Sequence, residues 1–524
     1  GLWFGWVPGR TSEADRDAAA AFAPPSPSPH PISPVPLCVF ASLREVPSLF
    51  LSLSLPLSLC LFLFLTLCLP MPVFAANDAF PTPFPDDARC GQFGWVRGEP
   101  MPFVPVASPV VVDVTPRGDL PSAAHTLRIV LASDLDLSGV FLVLPESLTP
   151  PDPALTWFSE AAFDYLGWRE AGAYLVPVAT VSPEPDGRVR LRIDCFVTEE
   201  GDVLRIGGAE AVVEPARIAT FAHRWVNALL QCITGLPGVL GTRIAYSRRA
   251  AAGEAKEIWL AELGSPEQVR VSRDGVIAML PAWTPGGGVS WTGYRSGNPD
   301  VWVEACPGCP EGRGPGPRVL SAREGLNSGP AWSPDGRLVA LTLEDDGNPD
   351  IFLIDPATGV EIARLTTNSG IDTSPTWSPD GRTLAFVSDR GGSPQVWLMD
   401  SDGQNPRPLP LPGSYNSSPD WSPDGGEIAY QAREEGSRFA IRAYDLRSGS
   451  TRRIAGGAWD DEEPSWSPDG RMVAFTSTRR GRKLLFVAGA DGAGARPLFP
   501  NGGDYFTPAW ERPFATSGNN GSRR

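Results

Sequence analysis

Histidine is nearly absent, with three residues in 524. A chain this poor in imidazole has little from which to build a His-based hydrolase, and no Gly-x-Ser-x-Gly, P-loop or His-Glu-x-x-His phrase occurs in it. Positive charge is also in deficit. The 44 Lys and Arg against 60 Asp and Glu leave a formal charge of −16, which removes the clustered basic surface that nucleic-acid binding requires. The local run of Arg479, Arg480, Arg482 and Lys483 reads as the solvated tip of a hairpin. Catalysis and nucleic-acid binding are therefore not expected.

Long apolar runs are confined to one place. Leu49 to Leu69 is dominated by Leu and Phe, follows Arg44 and leads into Pro-Val-Phe-Ala at 72–75. That is the order of a secretory signal cleaved after Ala75, which would leave no membrane span in the mature chain. The run could also span a bilayer, so a retained anchor is the competing reading. Pro56 and the small-residue exit favour cleavage. Neither Cys60 nor Cys68 ends a lipobox, because Leu59 and Leu67 are too bulky. Residues 1–42 are rich in Pro, Ala and Ser, and the first Met is Met71; they read as a non-native or disordered extension. Cys90, Cys195, Cys232, Cys306 and Cys309 follow the cleavage point, an odd set that leaves at least one unpaired. Cys306-Pro-Gly-Cys309 has the spacing of a small loop disulfide or of half a zinc site; the absence of a second Cys or His pair nearby favours the disulfide.

Proline and glycine, by contrast, are abundant, at 57 and 55 residues, and much of that excess falls in an internal repeat. Pro-x-Trp-Ser-Pro-Asp-Gly begins at Pro330, Pro375, Pro419 and Pro464, with a weaker copy at Pro281 and a final Pro-Ala-Trp at 508–510. The tryptophans at 283, 332, 377, 421, 466 and 510 are separated by 49, 45, 44, 45 and 44 residues, a spacing that fits one propeller blade per repeat. In the unit at Pro375, strand a ends at Trp377, strand b is 383–388, strand c 395–399 and strand d 407–411. Ser-Pro-Asp-Gly supplies the a-to-b turn, since Pro presets φ and Gly tolerates positive φ. Six copies of strand b are predicted: 243–247, 289–293, 338–343, 383–388, 427–431 and 472–477. Only the first lacks its own upstream Trp strand, so 505–510 is expected to complete that blade and close the ring. The recurring Trp is expected to pack between neighbouring blades.

The segment before the repeats has a different period. A helix is predicted from Leu127 to Gly139, a strand over 140–144, a helix over 157–171, strands over 173–181, 188–197 and 203–213, and a long helix opened by Glu214-Pro215 and ending near Gly235. The fold class is thus mainly β: a six-bladed β-propeller preceded by a small α/β domain. The expected organisation is an extension over 1–42, a signal peptide over 43–75, a Pro-rich segment over 76–121 in which Val110 to Val114 could form a strand, an α/β domain over 122–240, a propeller over 241–512 and a tail over 513–524.

Several phrases resemble the TolB family. They are Leu131-Ala132-Ser133-Asp134-Leu135 with Ser138-Gly139, Phe221-Ala222-His223 with Leu229 and Thr234-Gly235, Gly241-Thr242-Arg243-Ile244-Ala245-Tyr246, and Phe506-Thr507-Pro508-Ala509-Trp510. The resemblance covers roughly residues 110 to 512; Thr284-Pro285-Gly286-Gly287 and the Cys-containing insert of the second blade depart from it. It implies a monomeric periplasmic component of the Tol-Pal system that supports envelope integrity and cell division. In that family the propeller binds the lipoprotein Pal, the N-terminus of the mature chain contacts TolA, and some bacteriocins borrow the channel. A secreted propeller that binds peptides or carbohydrates outside Tol-Pal is the alternative.

A propeller binds where its loops meet the central channel. The residues opening strand a, which share a face with the b-to-c turns, are expected to line the partner-binding mouth: Asn327 and Ser328, Asp372 and Thr373, Ser417 and Ser418, Glu462 and Glu463, Phe506 and Thr507. This polar, partly acidic rim suits an extended peptide or partner loop. No cofactor is expected. Asp335, Asp380, Asp424 and Asp469 of the repeated turns are explained by bonds to local backbone, with calcium at the turns or in the channel as the competing reading. His223 is expected to be a domain-packing or capping residue and not a base.

Overall fold

The computed structural model describes residues 104–512 apart from 114–120, 149–164, 199–203, 236–237, 266, 308–314, 435, 437 and 500–501. The expected signal peptide, the residues before it, most of the Pro-rich segment and the expected tail lie outside the described residues.

The α/β domain begins earlier than residue 122. Its sheet contains β1 (Val104–Val106), β2 (Val110–Asp113), β3 (Phe141–Val143), β4 (Leu175–Pro183), β5 (Val189–Val197) and β6 (Leu204–Val213). The spatial order is β3-β1-β4-β5-β6, with β2 also paired to β4. β1 and β2 run parallel to β4, whereas β4, β5 and β6 form an antiparallel meander. β1 was not anticipated, because a three-residue strand between prolines carries no readable alternation.

Helix α1 (Pro121–Leu137) buries Leu127, Val130, Leu131 and Leu135, the i, i+3, i+4 face seen in the sequence. Of the helix expected over 157–171, the described part is α2 (Tyr165–Glu170). Glu214-Pro215 opens a single 3-10 turn, Pro215–Arg217, before helix α3 (Ile218–Thr234), which ends at Gly235 with φ of 73°, a left-handed C-cap.

Six four-stranded sheets make the propeller. Blade I combines Arg243–Arg249, Glu257–Glu262 and Gln268–Arg270 with the closing strand Asp504–Trp510, which occupies the innermost position. The inner strands of blades II to VI are Ala278–Trp283, Asn327–Trp332, Asp372–Trp377, Asn416–Trp421 and Asp461–Trp466. Three of the six predicted b strands, 289–293, 383–388 and 472–477, match to the residue, and the other three differ only at their ends. In the unit at Pro375, strand d is Arg407–Pro408 and not 407–411, since Pro408 and Pro410 each remove a ladder donor.

The repeat phrase has a physical part for every residue. In the turn after Trp377, Ser378 Oγ donates to Asp380 Oδ1 at 2.6 Å and accepts from Thr383 N at 3.0 Å, while Arg382 N donates to the same carboxylate oxygen at 3.1 Å. The same three bonds recur around Asp335, Asp424 and Asp469. The side-chain hydroxyl beside Asp335, Asp380 and Asp424 holds each carboxyl below its usual range. Three of the six repeat tryptophans stitch blade to blade by hydrogen bonds: Trp283 Nε1 donates to Ala509 O at 2.8 Å, Trp377 Nε1 to Ala331 O at 3.0 Å and Trp332 Nε1 to Ser290 Oγ at 2.9 Å.

Cys195 is the unpaired cysteine among the described residues, and it is buried in β5, where desolvation pushes its thiol up. Cys232 and Cys306 are disulfide-bonded; Cys309, the expected partner of Cys306, lies outside the described residues.

Candidate functional site

Every inner strand carries a bulge at the same place. The ladder register shifts between the residue two before the proline and the residue after it in all six blades. The residue just before that proline adopts positive φ in each: Leu280 (54°), Gly329 (62°), Ser374 (55°), Ser418 (51°), Glu463 (59°) and Thr507 (45°). Five of the six are not glycine, and each such residue costs on the order of 1 kcal/mol or more. A bulge re-aims its side chain, and here all six residues line the channel.

The channel has a volume of about 1120 Å³, and each blade contributes its pre-proline residue, the proline and the residue after it. Of the ten residues expected at the mouth, Ser328, Thr373, Ser418, Glu463 and Thr507 line it, and the other five do not. Asn327 and Asp372 are fully buried and hold the d-to-a loops of their blades. Asn327 Oδ1 accepts from Ser321 Oγ at 2.7 Å and Arg323 N at 3.0 Å, and its Nδ2 donates to Arg323 O at 2.6 Å. Asp372 accepts from Asn368 Nδ2 at 2.7 Å and Arg390 Nη2 at 2.6 Å. Ser417 and Glu462 are also buried, Glu462 against Lys483. Phe506 is buried beneath Lys256, whose Nζ lies 4.0 Å from the ring centroid.

The expected pairs stand in two different registers. Aligned on the proline, Asn327/Ser328 and Asp372/Thr373 are first and second residues, whereas Ser417/Ser418, Glu462/Glu463 and Phe506/Thr507 are second and third. Counting back from each proline finds the channel-facing set, and adds Leu280 and Ser374. Two further residues were not singled out: Asp420, one past its proline, and Arg512, beyond the closing strand; both line the channel. Glu463 Oε2 accepts from Thr507 N at 2.7 Å and so ties blade VI to blade I. Among the described residues no three His, Cys, Asp or Glu side chains gather as a metal site.

His223 packs between domains. Its Nδ1 lies 2.7 Å from Asp134 Oδ2 of α1, both side chains buried, and its Nε2 lies 3.5 Å from Glu262 Oε1 of blade I. Burial pushes the Asp134 carboxyl up to about 6. Burial also opposes charge on His223, but the hydrogen bond and charge of Asp134 outweigh it and raise its pKa above the ordinary 6.5. A raised imidazole stabilises the fold fully below 6.5 and loses that contribution as pH rises through the folded value. Stability should therefore decline above pH 6.5, and His223→Gln should flatten that part of a urea-midpoint-against-pH curve; an equal slope in the variant would rule the joint out as its source.

The fold and channel define a class: a six-bladed propeller with a bulged, proline-ringed bore, closed by its last strand and joined to an α/β domain. The TolB β-propeller domain family matches residues 230–514 and the TolB amino-terminal domain family residues 104–200. The chain belongs to the TolB family. It is 32% identical over 280 residues to the Tol-Pal system protein TolB of Desulfosudis oleivorans, covering 52% of this chain and 60% of that one. The Anaeromyxobacter dehalogenans protein of the same name is 34% identical over 259 residues, covering 48% and 55%. The match thus spans little more than half the length of these curated relatives. The crystal structure of TolB from Acinetobacter baumannii aligns with a TM-score of 0.67 at 27% identity, over 79% of this chain and 98% of that one.

Proposed function

We propose that the chain is a binding component, not a catalyst, of a Tol-Pal-type system in the periplasm, and that the channel mouth receives a segment of a Pal-like lipoprotein. The observation that carries this is the six-fold bulge. Five non-glycine residues held at positive φ around one opening are a repeated backbone cost, and such strain gathers where a surface has work to do. The rim is polar where Ser328, Thr373, Ser374, Ser418, Glu463 and Thr507 stand and apolar where the prolines stand, a mixture suited to an extended peptide or partner loop. The family name of the relatives supports the choice of partner. TolA is proposed as a second partner, contacted by the segment before residue 104. A role in outer-membrane integrity and cell division follows from that assignment. Among the described residues no helix is long and apolar enough to cross a membrane.

The mouth is tested with half-exposed residues, because Asp372 and Glu462 are buried and replacing either with Lys would unbalance a blade. Ser328→Arg with Thr373→Arg should leave the melting midpoint near that of the unsubstituted chain. It should weaken capture of the Pal-like lipoprotein at least ~100-fold, as blocking a central anchor does. Unchanged capture would remove the mouth from the proposal.

A further inference from the structure

The end of the channel opposite the mouth already holds a cation. Arg512, two residues beyond the closing strand, sends Nη2 to Asp420 Oδ2 at 2.6 Å and to Trp421 O at 2.7 Å. Asp420 belongs to blade V and Arg512 follows the inner strand of blade I, so the contact spans blade VI, whose Trp466 N donates to the same carboxylate oxygen at 2.8 Å. Asp420 is singular among its equivalents: the other residues following the inner prolines are Ala282, Ala331, Thr376, Ser465 and Ala509. Nearby stand Pro379, Pro423 and Pro468 of the Ser-Pro-Asp-Gly turns, which line the same bore.

We propose that this end of the channel is a receptor for one guanidinium group, with Arg512 as its built-in occupant, and that an extended peptide presenting an arginine competes with Arg512 for Asp420. The elements of the site are a carboxylate, a backbone carbonyl and apolar walls, which together match a planar, multiply donating cation. Exchange is feasible because the side chains of Asp420 and Arg512 retain 17% and 26% of their exposure. Swapping one guanidinium for another conserves the hydrogen bonds, so the barrier to binding is the tether. A neighbouring side chain acts at an effective concentration in the millimolar range or above, and a free peptide must exceed it. The reading is separate from the partner-binding mouth, which opens at the other end, and either can fail without the other.

The test uses the full chain and two capped peptides, acetyl-Gly-Arg-Gly-amide and acetyl-Gly-Gln-Gly-amide, titrated by calorimetry. Removing the internal competitor with Arg512→Ala should tighten binding of the arginine peptide at least ~10-fold over the unsubstituted chain. The glutamine peptide should gain nothing, and Arg512→Ala with Asp420→Asn should lose the gain. A folded Arg512→Ala chain with no gain, an equal gain for the glutamine peptide, or a gain that survives Asp420→Asn overturns the proposal. Should Arg512→Ala not fold, the unsubstituted chain decides: excess arginine peptide must speed amide hydrogen exchange at Glu511 and Arg512 relative to the glutamine peptide, and equal exchange overturns it.

Discussion

A chain cut after Gly503 will not form a cooperative propeller, whereas one cut after Arg512 will melt as the full chain does. The last strand is the innermost strand of the first blade, paired from Asp504 with Arg249 to Trp510 with Ile244. It buries Tyr505, Phe506 and Trp510. Loss of a buried Phe or Trp costs about 3–5 kcal/mol each, and a domain has only about 5–15 kcal/mol in total. Polar locks go with it: Arg249 to Asp504 at 2.7 Å, Arg243 Nε to Glu511 at 2.9 Å and Trp510 Nε1 to Thr242 Oγ1 at 2.8 Å. What remains is an open arc of five complete blades and a three-stranded first blade whose inner edge, Arg243–Arg249, is unpaired, the kind of edge that recruits other chains. Thermal denaturation and size-exclusion chromatography of the two truncations check this. A monomeric, cooperatively melting product from the shorter chain would show that the ring does not depend on its clasp.

The period of the ring was legible because each blade repeats the same solution: Pro and Gly in the turn, a Trp reaching to the next blade, alternation in the middle strands. The clasp was legible for the same reason, since one b strand lacked an a strand and one a strand lacked a b. The mouth was read only in part. Alternation predicts which side of a regular strand a residue faces, but a bulge adds a residue and inverts the alternation beyond it. No residue type announces that bulge, because Leu280, Ser374, Glu463 and Thr507 adopt a backbone usually left to glycine or asparagine. Its signature is positional, the residue before the proline, and it emerges only when repeats are aligned on that proline. The contact of Arg512 with Asp420 was invisible for a different reason: 92 residues separate the partners, and closure alone brings them together.

The joint between the domains yields the second large effect. Gly264, just past the strand Glu257–Glu262, has φ of +92°, and a Cβ there would lie 2.2 Å from Asp134 Oδ1 and 2.8 Å from His223 Cε1. Neither atom can move freely, because both belong to a buried pair held at 2.7 Å between α1 and α3. Gly264→Ala must therefore strain the backbone and push the pair apart. Left-handed backbone and an overpacked site together cost about 3 kcal/mol, most of it lost from the contact between α/β domain and propeller and not from the ring itself. The variant should lower the urea midpoint and raise hydrogen exchange in α1 and α3 while the blades keep their protection. Replacing His223 with Ala in the same chain removes the atom nearest after Asp134, so part of the penalty should be relieved and the two substitutions should cost less together than their sum. Additive losses would mean that Gly264 matters for its backbone alone, and that the pair does not feel the propeller's approach.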